Sequence, residues 1–258
     1  MSGPIETSRR GDVVTVTLNR PEAGNAVDLE TARALHRAVV EAEASGALVM
    51  VLAARGKVFC AGGDVVSMAE SADPGAHLDE LAGAMHEALA AMSASPVFVV
   101  AAIDGAAAGG GLGLALTADY LVATPRASFL TAYAGVGLTP DSGVSSLLVR
   151  SVGMHRALAL ASSGRVLSAE EARDWGIVAE VVASEELADV VARRAETFAR
   201  TVGPALGETK RLIRSATETA YVAQLADEQQ TIAEAATTPH AQERIRRFVE
   251  RSAAQQAN

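Results

Sequence analysis

The sequence predicts an α/β fold that ends in an all-helical segment. Three observations carry this. Short apolar runs that read as buried strands alternate with Ala-rich stretches of helical period. Two glycine-rich turns, Cys60-Ala61-Gly62-Gly63-Asp64 and Gly109-Gly110-Gly111-Leu112-Gly113, each follow such a run and precede a helical segment. From Ser184 onward the pattern is almost wholly helical, interrupted by Pro204 and Pro239.

Val13–Leu18 alternates as a strand does. Asp28 then caps a helix whose Leu29, Ala32, Leu35, Val39 and Ala42 share one face and which Gly46 ends. Residues 48–53 form an apolar strand that leads into the first glycine turn. Pro74 and Gly75 break the pattern across 64–82, 78–92 reads as a helix, and 97–103 as a buried strand. The second glycine turn opens a helix through Leu112, Leu116 and Ala118. Strands follow at 120–123 and near Phe129, and helices at 144–149 and 155–161. Ser168-Ala169-Glu170-Glu171 is a capping-box signature for a helix ending at Gly176, and 177–182 reads as one more strand.

A chain of 258 residues forms one large domain, or one domain plus an appendage. Its formal charge of −9, from 22 basic and 31 acidic residues, argues against nucleic acid as a partner, because phosphate binding needs clustered Lys and Arg. No apolar stretch approaches the roughly 20 residues of a membrane span. Residues 1–10 are polar and lack the apolar core of a signal peptide. The lone Cys60 excludes an internal disulfide and fits a reducing compartment, so a cytoplasmic protein is expected. His36, His77, His86, His155 and His240 have no metal-site spacing. The glycines near 110 fail the G-x-G-x-x-G pattern at Leu114, and there is neither a P-loop nor a G-x-S-x-G elbow.

Glycine lets backbone N–H groups approach a ligand closely, and a helix N-terminus adds partial positive charge. Two such turns facing one another could hold one oxygen between two N–H donors, which is an oxyanion hole.

The chain resembles the crotonase family, the enoyl-CoA hydratase/isomerase superfamily. The resemblance rests on Leu18-Asn19-Arg20-Pro21-Glu22 with Asn25-Ala26, on Phe59 followed by the first glycine turn, and on Ala101-Ala102-Ile103-Asp104-Gly105 leading to Gly109-Gly110-Gly111. It also includes Ala172-Arg173-Asp174-Trp175-Gly176-Ile177-Val178 and Phe248-Val249-Glu250-Arg251, all in the family's order and spacing. It implies a crotonase-like spiral of ββα units over 1–200 and a C-terminal helical oligomerisation segment over 201–258, assembled as a homotrimer or a dimer of trimers. It further implies an acyl-CoA thioester substrate, with no cofactor beyond that CoA. The carbonyl oxygen would sit between the N–H groups of Gly63 and Gly110, in a substrate-binding turn completed by Ala61 and Gly62. Phe248 and Arg251 match tail residues that in this family contact the CoA adenine and phosphate from an adjacent subunit; ordinary helix packing is the other reading of Phe248. Asp64 reads as a helix cap.

The family's hydratases hold water between two glutamates. This chain has Gly113 at one of those positions and Tyr133 in the stretch aligned with the other. What remains is Asp141, in Gly137-Leu138-Thr139-Pro140-Asp141-Ser142-Gly143, a good β-turn by composition alone. An aspartate here resembles the ring-1,2-epoxyphenylacetyl-CoA isomerase type, in which one acid shuttles a proton between acyl carbons. The expected activity is therefore a double-bond shift in an enoyl-CoA. An enoyl-CoA hydratase with a non-standard acid/base and a non-catalytic acyl-CoA-binding protein are the alternatives. The segments 109–113 and 152–157 also resemble 4-chlorobenzoyl-CoA dehalogenases. Those enzymes carry Trp where Tyr133 stands, and a histidine base from which His86 is two residues out of register. Tyr133 then lines the acyl pocket or donates a hydrogen bond; Met68, Leu81, Met85 and Val136 line it or belong to the core.

Overall fold

The computed structural model describes residues 3–201 and 205–256, so Pro204 lies outside the described residues. The chain begins with a hairpin of β1 (Ile5–Arg10) and β2 (Val13–Leu18). The sequence pattern gave no sign of β1, because this half-exposed edge strand buries no apolar face. Asp28 accepts the Thr31 N–H and so caps α1 (Leu29–Ala44), which leads to β3 (Val49–Ala54). After the first glycine turn come α2 (Val65–Glu70) and α3 (Pro74–Ala94). Pro74 and Gly75 open α3 rather than break it. Pro74 occupies the first turn, where no N–H is needed, behind an Asp73 cap that accepts from Ala76 N–H.

Then follow β4 (Phe98–Ile103), β5 (Ala106–Ala108), α4 (Gly110–Thr117), β6 (Tyr120–Ala123), β7 (Ser128–Leu130) and α5 (Tyr133–Val136). Next are α6 (Val144–Val152), α7 (Met154–Ser163), β8 (Leu167–Ser168), α8 (Ala169–Asp174) and the two-residue β9 (Glu180–Val181). The expected capping box at Ser168 and Glu171 is formed. Helices α9 (Leu187–Thr201), α10 (Ala205–Ala236) and α11 (Pro239–Gln256) complete the chain.

Two sheets result. The larger has the order β1-β2-β3-β4-β6-β9 and is parallel from β2 onward; the smaller has the order β5-β7-β8. Each of β4-β5-α4 and β6-β7-α5 is a ββα unit, with its first strand in the large sheet and its second in the small one. This is the crotonase-like spiral that the motifs imply. One face of the large sheet packs Val49, Val51, Val100 and Val122 against Val190, Val191 and Ala195 of α9. The opposite face packs on the main core with α1 and α3. A parallel sheet covered on both faces reads as continuous apolar runs, as these strands do.

Helix α10 is moored deep in the molecule. Lys210 donates to Met92 O at 2.8 Å and Val97 O at 2.9 Å and pairs with Asp119 Oδ2 at 3.0 Å. Arg214 Nε donates to Asp119 Oδ1 at 3.0 Å. Hydrogen bonds to backbone carbonyls together with a carboxylate satisfy the buried ammonium, which would otherwise be a large desolvation cost. This mooring anchors the N-terminal part of α10 to the core. No helix among the described residues is long and apolar enough to cross a membrane.

Candidate active site

The two glycine turns meet. Cys60 pairs with Ala107 as a parallel bridge, and the carbonyl of Cys60 accepts Ala108 N–H at 2.9 Å. Gly62 (φ 97°) and Gly109 (φ 52°) adopt left-handed backbone that favours glycine. A Cβ on Gly110 would come within 3.9 Å of Gly62 Cα, so the turns are in near contact. The first turn is held from behind by Arg20, which donates to Ala26 O at 2.6 Å and pairs with Asp28 at 3.0 Å and Asp64 at 3.3 Å. Asp64 caps α2 by accepting Ser67 N–H, as its sequence context suggests. Burial pushes the Cys60 thiol up to about 11, so it is no nucleophile at neutral pH.

A cavity of about 130 Å³ opens between the turns. Ala61, Gly62, Gly63 and Gly110 line it, together with Tyr133, Asp141 and Ser142. Met68, Leu81, Met85 and Val136 make its apolar side, joined by Leu78 and Ile232, which the sequence had not marked. Phe248 of α11 also lines it, from the same chain. Arg251 does not reach this cavity: it lies in a separate exposed depression with Arg244 and Arg247, and its Nε donates to Arg247 O.

Gly110 is the first residue of α4, where helix N–H groups have no intrahelical acceptor. Gly63, from the first turn, lines the same cavity, so both glycine turns bring backbone to the space that a carbonyl oxygen would occupy. Asp141 lines the same cavity, buried on a strained turn, since Ser142 (φ 56°) is left-handed without being glycine. Its backbone carbonyl accepts the Tyr133 hydroxyl at 3.0 Å, and its Oδ2 accepts the Ser142 hydroxyl at 3.1 Å. Burial, with the Asp141 charge adding, holds the Tyr133 phenol well above its usual range, so it stays a donor.

Two further groups reach Asp141. His86, far from solvent on α3, has Nε2 only 2.6 Å from Asp141 Oδ1. His86 is thus neither a surface nor a capping histidine: α3 turns Met85 to the cavity and His86 to the acid. Its Nδ1 is buried and, among the described residues, has no hydrogen-bond partner. A bare lone pair there costs less than a buried N–H without an acceptor, so Nε2 carries the hydrogen and donates it to Asp141. Glu228, also buried, arrives from α10. It accepts Gly143 N–H at 2.6 Å and the Ser145 hydroxyl.

His86, Asp141 and Glu228 turn ligand-type atoms to within 4.8 Å of one another, a cluster the spacing of the histidines did not reveal. Its 2.6 Å N···O contact is closer than the ~3.3 Å between two ligands on a tetrahedral zinc, given bonds of about 2.0–2.1 Å. It is a short hydrogen bond.

Burial pushes Glu228 up to about 7, with the Asp141 charge adding, against the bonds from Ser145 and Gly143. From its ordinary 4.5 to about 7, the unfolded chain has released this proton while the folded chain keeps it. The wild type therefore loses stability as pH rises through that window and bears the whole penalty above it. Glu228→Gln is expected to be more stable than wild type at pH 8 by about 2–3 kcal/mol in urea unfolding. The difference should vanish below about pH 4.5.

The Enoyl-CoA hydratase/isomerase family model matches residues 8–257. The chain is 36% identical over 184 residues to a trans-2-decenoyl-[acyl-carrier-protein] isomerase of Streptococcus mutans, covering 70% of each chain. It is 36% identical over 210 residues to the 1,2-epoxyphenylacetyl-CoA isomerase of Escherichia coli, covering 79% of each. Among solved structures, an enoyl-CoA hydratase from Mycobacterium avium subsp. paratuberculosis superposes with a TM-score of 0.87 at 27% identity, over 95% of this chain and 98% of that one. With its ββα spiral and paired glycine turns, the chain belongs to the enoyl-CoA hydratase/isomerase family.

Proposed function

We propose that this protein is an enoyl-CoA isomerase that moves a double bond through an oxyanion-stabilised enolate, with Asp141 as the proton shuttle. The observation that carries the reading is Asp141 itself, a buried carboxylate lining the same cavity as Gly63 and Gly110. In this reading the two N–H groups hold the thioester oxygen. Asp141 takes a proton from C2 of a 3-enoyl thioester, the charge delocalises onto the oxygen as a dienolate, and the same acid returns the proton at C4 as the double bond moves to C2–C3. One carboxylate suffices, with no cofactor besides the CoA of the substrate. Phe248 would close the acyl pocket, and Arg251 would meet the CoA phosphates.

The alternative, hydration, needs a second carboxylate to hold water. The space for one at position 113 is taken: a Cβ on Gly113 would stand 2.2 Å from the carbonyl oxygen of Ser142. At the other position, Tyr133 spends its hydroxyl on the backbone of Asp141. Two relatives named as isomerases agree with the reading. A homotrimer or a dimer of trimers belongs to the same proposal, and the exposed Met154 and Leu158, one turn apart on α7, offer apolar surface for it.

The test is incubation of the purified protein with a 3-enoyl-CoA, following growth of the conjugated 2-enoyl thioester in the ultraviolet. Catalysed conversion is expected. A rate no faster than buffer across short, long and aryl-substituted chains would overturn the reading in favour of a non-catalytic binder.

A further inference from the structure

The cluster behind the shuttle is larger than the reaction requires. A single acid would move the proton, yet three elements distant in sequence bring an imidazole and a second carboxylate to it: α3 with His86, the turn before α6 with Asp141, and α10 with Glu228. All three side chains are buried. Glu228 grips the shuttle's turn at two points just past Asp141, the N–H of Gly143 and the hydroxyl of Ser145.

Building on the isomerase reading, we infer that Glu228, His86 and Asp141 form one buried proton-sharing network in which Glu228 is a positioning residue. Its carboxylate fixes the turn that carries Asp141 and sets a second negative charge beside the shuttle. His86 donates Nε2–H to Oδ1 and so leaves Oδ2, beside Ser142, as the oxygen that exchanges a proton with substrate.

The chemistry follows from like charges at close range. With Glu228 protonated, Asp141 carries the cluster's one negative charge. With Glu228 ionised, a second negative charge stands beside the shuttle, and proton abstraction from the thioester becomes easier. Burial and the Asp141 charge bring this change near pH 7. The other polar groups around the cluster cannot mimic it. Tyr133 on α5 stays protonated, as does Tyr221 on α10, pushed up to about 12 mainly by burial. Arg150 on α6 lies over the Tyr221 ring, Arg214 on α10 is bound to Asp119, and α4 carries no ionisable residue.

The test compares wild type, Glu228→Gln and Ser145→Ala. For 3-enoyl-CoA isomerisation, wild-type kcat/KM is expected to rise with pH through neutrality. Glu228→Gln should be flat there and about three- to tenfold slower at pH 8, with KM within twofold. Ser145→Ala removes a donor to the Glu228 carboxylate and should move the rise to higher pH. Independently of turnover, the ¹⁵N resonances of the His86 ring should shift over the same pH interval in wild type and stay still in Glu228→Gln, with the spectra also reporting that each variant is folded. Superimposable pH profiles for wild type and Glu228→Gln, or His86 resonances indifferent to Glu228, would overturn the inference. If the resonances follow Glu228 and no 3-enoyl-CoA is converted, the network stands and the isomerase reading falls.

Discussion

Asp141→Asn is expected to lower kcat for double-bond migration by about 10³-fold while changing KM less than threefold, because the carboxylate supplies general acid–base catalysis and little ground-state binding. The substitution is well suited to the site. An Asn Oδ1 still accepts Nε2–H from His86, and the turn keeps its bond from Tyr133, which reaches the backbone rather than the side chain. The fold and the paired glycine turns therefore survive, and affinity for an unreactive acyl-CoA, read by calorimetry, should be nearly that of wild type. Loss of binding together with loss of rate would mean that Asp141 holds the turn rather than moves the proton.

The second large effect is expected at Gly111. A Cβ there would lie 2.3 Å from the carbonyl oxygen of Cys60 and 2.7 Å from its Cβ. Cys60 cannot retreat, since its N–H donates to Ala106 O at 3.0 Å and its carbonyl accepts Ala108 N–H at 2.9 Å. Gly111→Ala must therefore wedge the two glycine turns apart. Overpacking of this kind costs about 1–3 kcal/mol, which lowers Tm by roughly 5–10 °C in a chain of this size. The catalytic penalty is the more telling one. Gly63 and Gly110 flank the wedge, and displacing a preorganised donor by about 1 Å costs on the order of 10²-fold in rate. Circular dichroism melting with steady-state kinetics on the folded fraction separates the two effects. A variant with wild-type kcat would mean that the oxyanion is held elsewhere.

These effects rest on features that the sequence exposed unevenly. The glycine turns were legible because close backbone approach demands glycine, and Gly62, Gly109 and Gly111 each show that demand. The buried strands were legible because both faces of the large sheet are covered. Strand β1 was not, since its burial is one of backbone pairing rather than side chains. Nor was the start of α3, where Pro74 and Gly75 read as a break although proline suits a helix's first turn.

Asp141 stood out only through the resemblance, for Pro-Asp-Ser-Gly is an ordinary turn by composition. Its partners were less visible still. His86 lies 55 positions from Asp141 along the chain, and Glu228 lies 85 from Gly143. Local periodicity carries no information about such pairings. Glu228 gave no local signal either, since α10 has little hydrophobic periodicity and its buried face is defined only by its packing.

The central claim is that this site moves a proton and adds no water. The most direct measurement is mass spectrometry of the thioester products after incubating a 3-enoyl-CoA and, separately, a 2-enoyl-CoA in H₂¹⁸O. The predicted result is mass-neutral conversion of the 3-enoyl to the 2-enoyl thioester, with no ¹⁸O in the product from either tube. Uptake of ¹⁸O from the 2-enoyl substrate, at a rate comparable to isomerisation and lost in Asp141→Asn, would contradict it and make the protein a hydratase.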